Sequence, residues 1–208
     1  MYPHNPAEVI IDYASDWIKA NAKSRVGVDR HVVALSWVKP PTGVFKLNVD
    51  GSRTRAGAIG AGGTIRNELG DWHSGFMVNI GCGEVLQAEA WGLFYGLQLA
   101  LSSHISNLIV ESDSATLVNL FNSESLELHP LGTIISNCKK MMQDMGNVQL
   151  HHIHRERNMV ADLLAKNSTS NALGICTLHD PPSCIIEALL DDIVGTSRSR
   201  MMNSSMAS

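Results

Sequence analysis

KLNVDGS, Lys46 to Ser52, is the stretch whose reading decides the fold. Leu47 and Val49 alternate with Lys46, Asn48 and Asp50, the period of a half-buried strand. The pattern ends on Asp50, and Gly51-Ser52 turns the chain away. A strand that ends on a carboxylate and then a glycine presents a metal ligand or a catalytic acid at a sheet edge. An ordinary solvated Asp-Gly turn has the same sequence, so residues further along the chain decide between the two.

Two more strands come next, over 58–66 and 72–80, with Asn67-Glu68-Leu69-Gly70 as a turn between them. Three strands joined by short turns read as an antiparallel meander. Gly57, Gly60, Gly62 and Gly63 leave part of a sheet face bare, open to close approach by another backbone. Glu84 to Ser103 is the strongest helix, with Leu86, Leu93, Leu97 and Leu101 along one side and Ala88, Gly92, Gly96 and Ala100 as a stripe of small residues. A glycine inside a helix costs about 1 kcal/mol, so two on one stripe predict tight packing. Glu89 lies beside that stripe.

Asn107 to Val110 is a short strand, and Asp113 stands where it switches into a helix over 115–121. Strand–helix alternation there predicts a crossover and parallel pairing with the opening strand. A helix over 131–145, a last strand over 148–153 and a helix over 158–167 carrying Asp162 complete the order β-β-β-α-β-α-α-β-α. His151, His152 and His154 resemble a zinc cluster, but adjacent strand residues point to opposite faces, so zinc is set aside.

Singly, each acid has an ordinary explanation: Asp50 a turn, Glu89 a boundary residue, Asp113 a helix N-cap and Asp162 an acid at the positive end of a helix. Together they make a pattern, because parallel pairing brings Asp50 and Asp113 out at the same sheet end. Converging carboxylates raise one another's pKa values and call for a cation. All-oxygen donors select magnesium or manganese over zinc.

The totals bound the rest. The chain has 208 residues, 44% apolar and 17% charged, with a formal net charge of −4, as in an ordinary globular protein with one good core. That charge supplies no global basic field for nucleic acid. Cys82, Cys138, Cys176 and Cys184 show no CxxC pair and read as free thiols. No secretory leader or membrane-length apolar run is visible, which predicts an intracellular protein, nuclear or cytoplasmic. Residues 1–36 read as an extension, with an amphipathic helix over 7–20 and a polar linker. Residues 37–168 read as the domain, and 169–208 as a C-terminal helix, over 183–194, and a disordered tail.

In order, spacing and flanks, KLNVDGS, AGGTIRNELGDWHSGF, LQAEAWGLFYGLQLAL, LIVESDS and HRERNMVADLLAK resemble the ribonuclease H family of type 1. The lead-in WVKPPTGVFKLNVDGS and the closing PPSCIIEALLDDIVG are similar to its plant subfamily, related to the ribonuclease H domains of non-long-terminal-repeat retroelement reverse transcriptases. The resemblance implies an α/β ribonuclease H-like fold with a central mixed five-stranded sheet, three antiparallel strands then two parallel, flanked by helices. It implies an endoribonuclease that cuts the RNA strand of RNA–DNA hybrids, leaving 5′-phosphate and 3′-hydroxyl ends. Asp50, Glu89, Asp113 and Asp162 are its implied catalytic and metal-binding residues, for two magnesium ions roughly 4 Å apart with manganese as a substitute. Gly51, Ser52, Arg53, Arg155 and Asn158 are implied at the nucleic acid, Arg55, Arg66, Lys139, Lys140 and Arg157 are further phosphate-contact candidates, and His154 stands where a histidine aids product release. The implied partner is the hybrid, with no membrane and a monomeric chain. Many members carry a basic, Trp-bearing insertion before the last strand. Here only Lys139-Lys140 stand there, which implies a weaker grip on substrate or grip supplied by a partner or fused domain. The alternative is a weak or inactive nucleic-acid-binding or interaction module derived from a retroelement.

Overall fold

In the computed structural model the described residues are 30–146 and 148–203. The expected helix over 7–20 lies outside them. The chain divides into two compact units, Ala34–Ser199 and the remainder, and the site lies wholly within the first. In chain order the strands are β1 (Arg30–Leu35), β2 (Phe45–Arg53), β3 (Ala58–Arg66), β4 (Trp72–Cys82), β5 (Leu108–Ser112), β6 (Val148–His152), β7 (Gly174–Leu178) and β8 (Arg198–Asn203). The helices are α1 (Val85–Ser102), α2 (Ala115–Asn122), α3 (Gly132–Met145), α4 (Met159–Ser168) and α5 (Ile186–Val194). Among the described residues strands β1 and β8 form a two-stranded sheet of their own, so the tail expected to be disordered forms a strand as far as Asn203.

The main sheet runs β6-β5-β2-β3-β4-β7. Strands β2, β3 and β4 form the predicted antiparallel meander. Strand β5 lies parallel to β2, with Val49 opposite Ser112, and β6 lies parallel to β5. The five expected strands are present in the expected directions. The sheet has a sixth member, however, because β7 pairs antiparallel with β4 from Gly75 to Asn79. Four of the five residues of β7 are exposed, so no apolar alternation marks it. It is a strand because the edge of β4 offers it a ladder.

Helix α1 covers one face of the sheet, and α4 covers the other. The alternation of β3 shows this: a Cβ built on Gly92 of α1 would lie 3.3 Å from the Ala61 side chain, while one on Gly62 would lie 2.5 Å from Ala165 of α4. The predicted small-residue stripe therefore does what its composition implies. A Cβ on Gly96 would meet Leu47 and Val49 at 2.9 Å, and one on Gly92 the Asp50 carbonyl at 3.0 Å. The larger core joins Leu47 and Val49 with Leu93 and Leu97 of α1, Leu117 of α2 and Ile135 of α3. The smaller one joins Met77 with Val160 and Leu164 of α4 and Ile185 and Leu189 around α5.

Strand β2 is not half-buried. Lys46 and Asn48, expected on a solvent face, are as buried as Leu47. A polar network explains how. Lys46 pairs with Glu111 at 2.6 Å and donates to the Val38 carbonyl. The Asn48 amide donates to Glu111, and its oxygen accepts from Trp37 and Arg66, each at 2.9 Å. Arg66, a candidate phosphate contact by sequence, is 1% exposed. Its guanidinium bonds Asp192 of α5 at 2.9 Å and lies 3.6 Å from the Trp37 ring. That corrects the expectation of a phosphate contact, since the guanidinium is enclosed. Burying a guanidinium demands a paired carboxylate, and the carboxylate comes from a helix 126 residues away in sequence.

Candidate metal and nucleic-acid site

Each acid reaches the site by a separate element. Asp50 is carried in the C-terminal half of β2, on the α4 face, opposite Gly62 of β3; the chain does not turn away at Gly51-Ser52 as expected, because those residues keep pairing with β3 as far as Arg53. Asp113 follows directly on β5, so parallel pairing delivers both to one sheet end. Asp113 does not cap α2. Ser114 does, its hydroxyl accepting from the Leu117 amide at 3.2 Å, so the Asp113 carboxylate is not used as a cap. Glu89 comes from the second turn of α1, and Gly51 sets its position. A Cβ on Gly51 would fall against the Glu89 and Ala88 backbone, closer than any side chain can sit. With hydrogen there instead, the Gly51 amide donates to the Glu89 carboxylate.

The result is a cluster in which ligand atoms of Asp50, Glu89 and Asp113 all lie within 4.8 Å of one another. Burial, with Glu89 and Asp113 beside it, pushes Asp50 up to about 10. Burial and the neighbouring Asp113 and Asp162 push Glu89 up to about 8, against the Gly51 amide, which pulls it down. One Glu89 oxygen is buried with no hydrogen-bond partner among the described residues. A buried orphan acceptor beside two like charges is costly, and a hard cation is the group that would satisfy it. The donor set fits such an ion.

The fourth acid is arranged differently. Asp162, in the first turn of α4, is buried, but Arg155 bonds one of its oxygens at 2.8 Å and Lys166 the other at 2.5 Å. It joins the cluster electrostatically rather than by contact, as one of the groups that raise Asp50 and Glu89.

The remaining expected residues fall around this corner. Asn158 is buried, and its amide donates to the Val49 carbonyl and to Asp113, both at 2.9 Å, so it fixes Asp113 against β2. Ser52 is partly exposed, opposite Gly60. Arg53 donates to the Gly83 carbonyl at 2.8 Å, just ahead of α1. Lys139 donates to the Ser123 carbonyl and lies over Phe121. Strand β6 stops at His152, and His154 leads into a short 3-10 turn over Arg155–Arg157. His152 is the histidine that touches an acid-bearing segment, its Nε2 3.3 Å from the Asp113 carbonyl oxygen. Two features escaped sequence reasoning. The role of Asn158 in holding Asp113 had no local signal. The Asp162–Lys166 pair did have one, the i,i+4 spacing of acid before base on a helix.

A family model described as reverse transcriptase-like matches residues 48–168, which holds all four acids. The chain belongs to the reverse transcriptase-like family. A protein of Arabidopsis thaliana named "Putative ribonuclease H protein" is 35% identical to it over 167 residues, 80% of this chain. The chain spans 27% of the length of that relative. Ribonuclease H1 of the archaeon Halobacterium salinarum matches with a TM-score of 0.57 and 20% identity, covering 62% of this chain and 100% of that one. LC11 ribonuclease H1, solved in complex with an RNA/DNA hybrid, matches with a TM-score of 0.54 and 21% identity over 61% of this chain and 96% of its own. Those likenesses establish the ribonuclease H fold for this reverse transcriptase-like chain. Strand β7 and helix α5 lie beyond the family match, although β7 extends the same sheet. Among the described residues no helix is long and apolar enough to cross a membrane.

Proposed function

We propose that this chain is an endoribonuclease that cuts the RNA strand of RNA–DNA hybrids, with two divalent cations held by Asp50, Glu89, Asp113 and Asp162. The observation that carries the reading is the convergence of three carboxylates from β2, α1 and the end of β5 on one point, with a buried Glu89 oxygen unsatisfied. Magnesium is the expected ion, with manganese as a substitute, since every donor is a carboxylate oxygen. When bound, the cations activate water and stabilise the leaving 3′ oxygen, giving 5′-phosphate and 3′-hydroxyl ends.

The protein's own part is positioning. Asp50 and Asp113 are fixed by parallel strands, Glu89 by the Gly51 contact and Asp113 further by Asn158. The partly exposed backbone at Gly51 and Ser52 borders the acids and is placed to meet the RNA strand. Glu89 beside it can read a 2′-hydroxyl, the group that separates RNA from DNA. His152 or His154, at the rim beside Asp113 and Arg155, is placed to help product leave. The Arabidopsis relative's name and the hybrid bound to LC11 ribonuclease H1 agree with this substrate.

A second reading, a weak or inactive nucleic-acid-binding module, is favoured by one observation. Several candidate phosphate contacts are engaged internally: Arg53 on Gly83, Arg66 on Asp192, Lys139 on Ser123 and Arg155 on Asp162. Internally labelled hybrid, duplex RNA and duplex DNA, each with and without magnesium, separate the two. The enzyme cuts only the hybrid's RNA strand, and only with metal. A module binds without turnover even in manganese at high protein concentration.

A further inference from the structure

Asp162 is the one acid of the four whose two oxygens are both taken by cations. Arg155 holds Oδ1 at 2.8 Å and Lys166 holds Oδ2 at 2.5 Å. The three other acids behave otherwise. Their ligand atoms face one another within 4.8 Å, and Glu89 keeps an oxygen with no partner. The carboxylate of Asp162 is 5% exposed, but the side chains that hold it are 60% and 50% exposed for Arg155 and Lys166. Both cations can therefore swing into solvent without crossing the core. Lys166 lies one helical turn beyond Asp162, the favourable order for an acid–base pair. Arg155 belongs to the 3-10 turn ahead of α4.

We propose that Arg155 and Lys166 form a displaceable latch on Asp162, so that the two metal positions fill in order: first Asp50, Glu89 and Asp113, then Asp162 once its cations are expelled. This rests on the metal-dependent function proposed for the site. The physical basis is competition, since an incoming ion must replace two positive groups already neutralising the carboxylate. At the first position it meets mutual repulsion, an orphan oxygen and the neutral donors of Asn158 and Gly51, and Arg155 acts on Asp50 and Asp113 less than on Asp162. A half-exposed ion pair is worth a factor of about 1.5 to 5 in an equilibrium, so two together weaken the second step by about 2- to 25-fold. An ion pair of that strength is large enough to set an order and small enough to be displaced. Arg155 and Lys166 are thus positioning residues, acting through Asp162.

Calorimetric titration of metal-free protein with Mn2+ tests this, on wild type, Lys166→Gln and the double variant Arg155→Gln/Lys166→Gln. Circular dichroism confirms that each is folded. The latch predicts two steps in wild type, with the second tightened about twofold or more in the double variant and by less in the single one. The first step moves less than the second in every case. A wild type that binds one ion beside a double variant that binds two also supports it. Equal tightening of both steps overturns it, because that is a general field effect, and so does no change in either. One ion bound by all three proteins overturns the latch while leaving the Asp50–Glu89–Asp113 position standing. No ion bound by any of them overturns the latch and the metal-dependent reading together.

Discussion

Replacing Asp192 with alanine leaves the Arg66 guanidinium buried without its carboxylate. Both side chains are 1% exposed, and their charged atoms lie 2.9 Å apart. Arg66 keeps the Asn48 oxygen and the Trp37 ring as neighbours, but neither carries a charge. Burial already pulls the Arg66 pKa down, and Asp192 is the chief group opposing that pull. Breaking one side of a buried pair costs about 3–5 kcal/mol. Glu111 also opposes the pull on Arg66, which favours the lower half of that range, about 3–4 kcal/mol. For a chain of this size that corresponds to a fall in Tm of roughly 6–16 °C, from a total stability of about 5–15 kcal/mol. Urea unfolding at neutral pH is the assay, read as a lower midpoint with an unchanged slope. The double variant Arg66→Met/Asp192→Leu removes both charges and recovers most of the loss. A loss below about 1 kcal/mol in the single variant would refute the reasoning, because the pair would then be hydrated and α5 peripheral to the fold.

Three further outcomes are expected at the site. Asp50→Asn removes a carboxylate of the proposed metal site and abolishes magnesium-dependent hybrid cleavage; wild-type turnover by the variant would sink the proposed chemistry. In metal-free protein the raised carboxyls of Glu89 and Asp50 contribute stability that is full below their unfolded pKa values near 4. That contribution is lost as pH rises toward about 8 and about 10 respectively. Urea midpoints in chelator therefore fall between pH 5 and pH 8, by at most about 1.4 kcal/mol per pH unit per carboxyl, and Asp50→Asn flattens the slope. Gly51→Ala forces a methyl group against the Glu89 backbone, costing about 1–3 kcal/mol in overpacking. Cleavage then falls by more than the stability loss explains, measured under conditions where the variant remains folded.

The parts of the fold that could be read from sequence were those with local signals. The β2 pattern, the meander turns and the glycine stripe of α1 each follow from neighbours a few residues apart. Parallel pairing of β2 with β5 followed from strand–helix alternation, and with it the meeting of Asp50 and Asp113. What escaped reading depends on distant partners. Lys46, Asn48 and Arg66 are polar residues in strands, and nothing near them announces that Trp37, Glu111 and Asp192 will enclose them. Strand β7 carries no alternation because most of it faces solvent. Arg155 is expected at the nucleic acid and Lys166 is not singled out by sequence; both are half exposed, yet their charged ends turn inward to Asp162.

The crowded carboxylates also bear on how such a chain drifts over generations. Without a bound cation this corner is uncomfortable: Asp50 and Glu89 resist ionisation and a Glu89 oxygen has no partner among the described residues. Exchanging Asp50 for its amide relieves the repulsion, so at this position losing the chemistry and gaining stability are the same mutation. A lineage no longer selected for cutting nucleic acid therefore has a downhill path to an intact, inert copy of the same fold.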